Sequence, residues 1–139
     1  LLSIPEIFRY PNMRRWNWLE CLAVAVLLAT DGCARPAETV PVHGTVLYRG
    51  QPLQTGVVAF VSDPQRHSQH VLAVAKLQPD GHFSVEWEGR EGIPPGWYRI
   101  SVICPDARGW PDKYCDPDRS GLECQILPQQ TNMLVIRLE

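Results

Sequence analysis

The chain has 139 residues, enough for one domain and a leader, and its formal net charge of −2 gives no basic field for nucleic acid and no polybasic membrane patch. With 45% hydrophobic and 20% charged residues the composition is ordinary globular, and the 13 prolines fall between apolar runs rather than in a low-complexity tract. That punctuation suits the loops of an all-β fold.

Leu1 opens the sequence and the first methionine is Met13, followed by Arg14 and Arg15; translation is expected to start at Met13. Beyond Glu20 comes an apolar run from Cys21 to Ala29. A positive start, about ten apolar residues and small residues afterwards predict a secretory signal helix, too short for the roughly 20 residues that span a bilayer. The segment ends Ala29-Thr30-Asp31-Gly32-Cys33, which resembles the lipobox of bacterial lipoproteins, where the cysteine thiol is lipidated and becomes the new N-terminus. Thr30 and Asp31 stand where such motifs carry leucine and a small residue. Cys33 is the expected lipid anchor, with signal cleavage nearby or an uncleaved anchor as alternatives. Residues 1–33 are therefore leader and signal, 34–39 a polar tether, and 40–139 the folded domain.

From Val40 the apolar pattern has period two, broken by turn residues every 8 to 12 positions, the signal for a sandwich or small barrel. Val40, Val42, Val46 and Tyr48 share one face of a first strand. Gly44 among them predicts a bulge or a close backbone approach. Gly56–Val61 and His70–Leu77 read as the next two strands, separated by a polar loop from Asp63 to Gln69. Pro79-Asp80-Gly81 predicts a tight turn, and His82–Trp87 a returning hairpin strand with Phe83 and Val85 on one face. After Pro94-Pro95-Gly96, the residues Tyr98, Ile100, Val102 and Cys104 alternate with Arg99, Ser101 and Ile103. A tyrosine there suits a tyrosine corner, its ring inward and its hydroxyl on nearby backbone. A long loop, Pro105–Gly121, precedes a short strand facing Leu122, Cys124 and Ile126, and Met133–Leu138 closes the domain. The expected fold is an all-β, seven-stranded antiparallel Greek-key sandwich behind a signal helix.

Four stretches carry a resemblance. Pro41–Leu53 (PVHGTVLYRGQPL), Asp80–Phe83 (DGHF), Pro94–Ile100 (PPGWYRI) and Tyr114–Leu122 (YCDPDRSGL) resemble, in order, the carboxypeptidase regulatory-like (transthyretin-like) domains of small bacterial envelope lipoproteins. Together they are spread over residues 41–122, most of the length of the domain. The resemblance implies a prealbumin-like sandwich in the cell envelope, with a membrane contact through the lipid and an envelope protein or glycan as partner. It implies no activity of its own and no cofactor; the location is lipid-anchored, otherwise secreted or periplasmic.

Candidate chemistry is sparse. Of five cysteines, Cys104, Cys115 and Cys124 fall in the domain, and export favours one disulfide, here expected to involve Cys115. Sequence alone does not choose the pair. His67 and His70 are three apart but lack further ligands at metal spacing and are expected to be solvated, as are His43 and His82. Asp116, Asp118 and Ser120 imitate half a calcium loop, but Leu127 stands where the bidentate glutamate belongs, so a self-capping turn is expected. Trp87, Trp97, Trp110 and Tyr114 are candidates for an aromatic platform that would bind a sugar or peptide.

Overall fold

A computed structural model of the chain describes residues 35–67 and 69–139. The signal helix, Cys21, Cys33 and the proposed start at Met13 lie outside the described residues. Arg35–Thr39 of the expected tether carry no regular structure.

Ala37–Glu139 is one compact unit. Its strands are β1 Val42–Tyr48, β2 Gln51–Pro52, β3 Val57–Ser62, β4 Leu72–Lys76, β5 His82–Ser84, β6 Glu86–Trp87, β7 Arg90–Glu91, β8 Gly96–Ile103, β9 Leu122–Ile126 and β10 Asn132–Leu138. A 3-10 turn, Asp112–Cys115, interrupts the long loop before β9. One sheet runs β10-β1-β2, with β5 also on β1; the other runs β4-β3-β8-β9; β6 and β7 form a small ribbon.

Alternation decides which side chains form the core. Val58 and Phe60 of β3, Ala73 and Ala75 of β4, and Tyr98, Ile100 and Val102 of β8 are buried from one sheet. Val42, Val46, Phe83, Ile136 and Leu138 meet them from the other, and the Phe60 and Phe83 rings pack at 5.9 Å. At roughly 1.5–3 kcal/mol for each large side chain removed from water, this shared layer is the main force closing the fold. Gly44 is a close approach: a Cβ there would sit 2.5 Å from Phe83 Cζ and 2.6 Å from the Leu134 carbonyl oxygen. The expected tyrosine corner is present, the Tyr98 hydroxyl donating to the Pro94 carbonyl at 2.7 Å with the tyrosine fully buried.

Two expectations are corrected. The tight turn at Gln78–Gly81 forms, but β4 and β5 are not a hairpin: β4 pairs with β3, and β5 pairs with β1 on the opposite sheet. The chain arches across the core because Phe83 lies over Gly44 and the Val46 amide donates to the Gly81 carbonyl at 2.9 Å. The sheets are also not wholly antiparallel, since β10 runs parallel to β1 over seven register pairs from Val42↔Asn132 to Tyr48↔Leu138. The chain reaches β10 from β9 through Leu127–Thr131, where the Asn132 amide group accepts from the Leu127 N–H and donates to the Leu127 and Gln130 carbonyls.

Candidate functional site

The four candidate aromatics do not form one platform. Trp87 belongs to the core, with the Arg90 guanidinium 5.6 Å from its ring. Trp97 stands half-buried on the outer face at the start of β8, and the Arg66 guanidinium covers it at 4.3 Å. Trp110 is anchored near the other end of β8, its indole N–H donating to the Val102 carbonyl at 3.0 Å. Five residues of strand separate Trp97 from Val102, roughly 16 Å. Trp110 and Tyr114 do come together, at 5.9 Å between rings, and Tyr48 joins them 5.0 Å from Trp110. Tyr114 is 4% exposed, and its hydroxyl bridges the backbone N–H and carbonyl of Glu139, both at 3.1 Å. The open part of this group is therefore Trp110 and Tyr48, flanked by Arg49 and Lys113 over the Tyr48 and Tyr114 rings. The sequence pattern marks Tyr48 only as part of a strand face.

A second group, which the sequence pattern does not mark, is the charged network around Asp63. Asp63 is 2% exposed. Its carboxylate accepts from the Gln65 amide at 2.9 Å and the Arg66 Nε at 2.7 Å, and faces an Arg99 guanidinium nitrogen at 3.4 Å. Arg66 continues to Glu123, and Arg99 to Asp118 at 2.6 Å. The Gln65 N–H bond first, then the two guanidinium groups, hold the Asp63 carboxyl below the usual carboxylate range against the opposing effect of burial. The only local hint was an aspartate two residues ahead of an amide it could cap. Each cation lies between two anions, with Asp63 shared by both.

His70 is exposed as expected, but His67 is not a solvated loop histidine. Its ring lies edge-on to Tyr98 at 5.3 Å, in the space left by Gly96, where any Cβ would collide with it. Nδ1 accepts from the Gln69 amide, while Nε2 is buried without a hydrogen-bond partner among the described residues. His43 is half-buried beside Glu91 at 3.4 Å, whereas His82 is exposed and bonds the Thr45 hydroxyl. In the Asp116–Gly121 turn, Asp116 caps the Asp118 amide at 2.9 Å, Asp118 bonds Arg99, and the Ser120 hydroxyl donates to the Ile100 carbonyl at 2.6 Å. These oxygens cap and tie the loop rather than converge on one point.

Among the described residues the expected disulfide at Cys115 is not formed; Cys104, Cys115 and Cys124 are all free thiols there. Cys104 is buried beyond the end of β8, while Cys124 pairs in register with Tyr98, six residues back along that strand and so roughly 20 Å away. A bridge needs Cα atoms within about 7 Å. Cys115 faces solvent from the 3-10 turn. Burial, and next the charge of Glu123, push the Cys124 thiol up to about 12, leaving it protonated and a poor nucleophile near neutrality.

Cys124 lines the remaining feature, an open groove of about 260 Å³ between β9 and β10. Ile100, Leu122, Leu134 and Ile136 make its apolar wall, with Glu123 and Arg137 at the rim. Comparison of the chain with protein-family models, with curated proteins and with solved structures finds no match.

Proposed function

We propose that the chain is an exported protein, lipid-anchored at Cys33 in the cell envelope, whose sandwich is a scaffold of the carboxypeptidase regulatory-like kind serving structural, adhesion or assembly contacts. The observation that carries this reading is the use made of the residues that resemble that family. Gly44 lies beneath Phe83, Asp80 caps the His82 amide at 3.1 Å, Tyr98 makes the corner, and Ser120 ties its loop to Ile100. Each holds the fold together, as expected of a scaffold motif rather than a reaction centre. Among the described residues seven strands reach three residues or more, three in one sheet and four in the other, a count that supports the prealbumin-like reading.

The test is the native gene with its leader, compared with Cys33→Ala by fatty-acid labelling, intact mass and membrane fractionation. Loss of both label and membrane association in the variant supports the anchor. A wild-type protein without lipid overturns it and makes a freely secreted domain the better reading.

A second reading, a carbohydrate- or peptide-binding module, is favoured by one observation: Tyr48 and Trp110 stand half-buried at 5.0 Å with a cationic flank. Titration with glycans, followed by tryptophan fluorescence, decides it. A saturable shift that Trp110→Ala abolishes supports binding; an unchanged spectrum leaves the scaffold reading.

A further inference from the structure

Among the described residues, the last strand leaves one edge of its sheet unpaired. Asn132 donates its N–H to the Pro41 carbonyl and the Leu138 carbonyl accepts from the Arg49 N–H, so the even-numbered residues of β10 bond to β1. In a parallel ladder alternate residues face the partner strand. The N–H and C=O groups of Met133, Val135 and Arg137 therefore point away from β1, at the edge of the sheet. The outer face there is apolar, with Met133 69% and Val135 61% exposed. Beneath the same edge lies the groove walled by Leu122, Cys124, Leu134 and Ile136. A seven-residue strand with one charge and no proline has few of the devices that keep an edge unpaired.

From this geometry we infer that the β10 edge is a homodimer interface, in which β10 of a second copy adds antiparallel about a two-fold axis through Val135. The choice of a second copy rests on self-complementarity. That register sets Met133 against Arg137, Val135 against Val135 and Arg137 against Met133, engaging every outward-facing residue of both strands. It also keeps the pleat in phase, so Leu134 and Ile136 of each copy stand side by side on the inner face and cover the groove. Charge selects it as well: Arg137 meets a methionine, and Glu139 falls opposite Thr131. Moving the axis to Arg137 would place two guanidinium groups face to face, which is destabilising. The β9 edge is less suited, because its outward-facing Glu123 is already engaged by Arg66. The pairing is independent of lipidation at Cys33, since it uses only β10 and the groove.

The test is sedimentation of the full chain in mild detergent under reducing conditions, so that exposed Cys115 contributes no cross-link. Wild type is expected to dimerise, and Val135→Lys to weaken the dimer about tenfold or more, because two ammonium groups then meet at the axis. Val135→Asp alone should behave likewise, while an equimolar mixture of the two variants should form mixed dimers. Circular dichroism and thermal melts check that the variants fold, as expected for a side chain in solvent. A wild type that stays monomeric up to about 1 mM overturns the inference. So does a mixture that fails to pair, or a dimer indifferent to Val135→Lys and broken by Val74→Lys on β4. Continued dimerisation by Cys33→Ala separates this result from any failure of the lipid anchor.

Discussion

Tyr98→Phe isolates the hydroxyl that closes the corner before β8. The ring stays, with its neighbours Phe60 at 6.4 Å and His67 at 5.3 Å, so no cavity opens. What is lost is the 2.7 Å bond to the carbonyl of buried Pro94, which is left without that donor. A neutral hydrogen bond contributes about 1 kcal/mol net, and stranding its buried partner costs about 1–3 kcal/mol in all. For a domain of roughly 100 residues each kcal/mol moves Tm by about 4–8 °C, so a fall of roughly 5–20 °C is expected. Urea unfolding should show a lower midpoint at an unchanged slope, the mark of lost stability without a changed denatured state. Tyr98→Leu, which also removes the ring, should lose more, about 3–5 kcal/mol. If Tyr98→Phe stays within about 0.5 kcal/mol of wild type, the corner bond is not a stabilising element.

Gly44→Ala is expected to cost about 1–3 kcal/mol by overpacking, since its Cβ would meet both Phe83 and a backbone oxygen. Adding Phe83→Leu should not restore the loss, because the Leu134 carbonyl remains; full recovery in a thermal melt would show that the ring alone matters. The Asp63 carboxyl lies below its ordinary value of 3.8 in the folded state, so its contribution is complete above that value and disappears as pH falls through the lower folded one. Asp63→Asn should flatten that acid limb of the Tm–pH curve, and an unaltered limb would refute the role given to Gln65, Arg66 and Arg99. Brief alkylation near neutral pH, mapped by peptide mass, should modify Cys115 well before Cys104 and Cys124. Equal rates at Cys115 and Cys124 would contradict the placement of Cys124 in the groove wall.

Period-two alternation was a good guide to sides. It put Tyr98, Ile100, Val102 and Cys104 on one buried face, and it put Phe83 and Val85 inside. The Pro-Gly ahead of Tyr98 marked the corner, and Gly44 marked the close approach, because both depend on residues near in sequence or on a missing Cβ. Alternation does not report which strand lies alongside, or in which direction. A tight turn between two apolar runs therefore read as a hairpin, although its strands enter opposite sheets, and β10 gave no sign of running parallel to β1. The Asp63 network was hidden for a related reason. Arg99 lies 36 residues away and Glu123 is 57 residues from Arg66, so only the fold brings them together. Trp97 is a platform candidate by sequence, and the guanidinium that covers it, Arg66, comes from the distant Asp63–Gln69 loop.

The parallel pairing of β1 with β10 also has a mechanical consequence. A force applied between the start of β1 and the end of β10 pulls the two strands along their lengths in opposite directions. All the ladder bonds across the seven register pairs are then loaded together rather than opened one after another like a zip. Resistance to forced unfolding is governed by the unfolding rate rather than by equilibrium stability. A domain held at its amino-terminal side and pulled at its carboxyl-terminal side thus loads this ladder in shear, whereas pulling β5 away from β1 would peel only three pairs in turn.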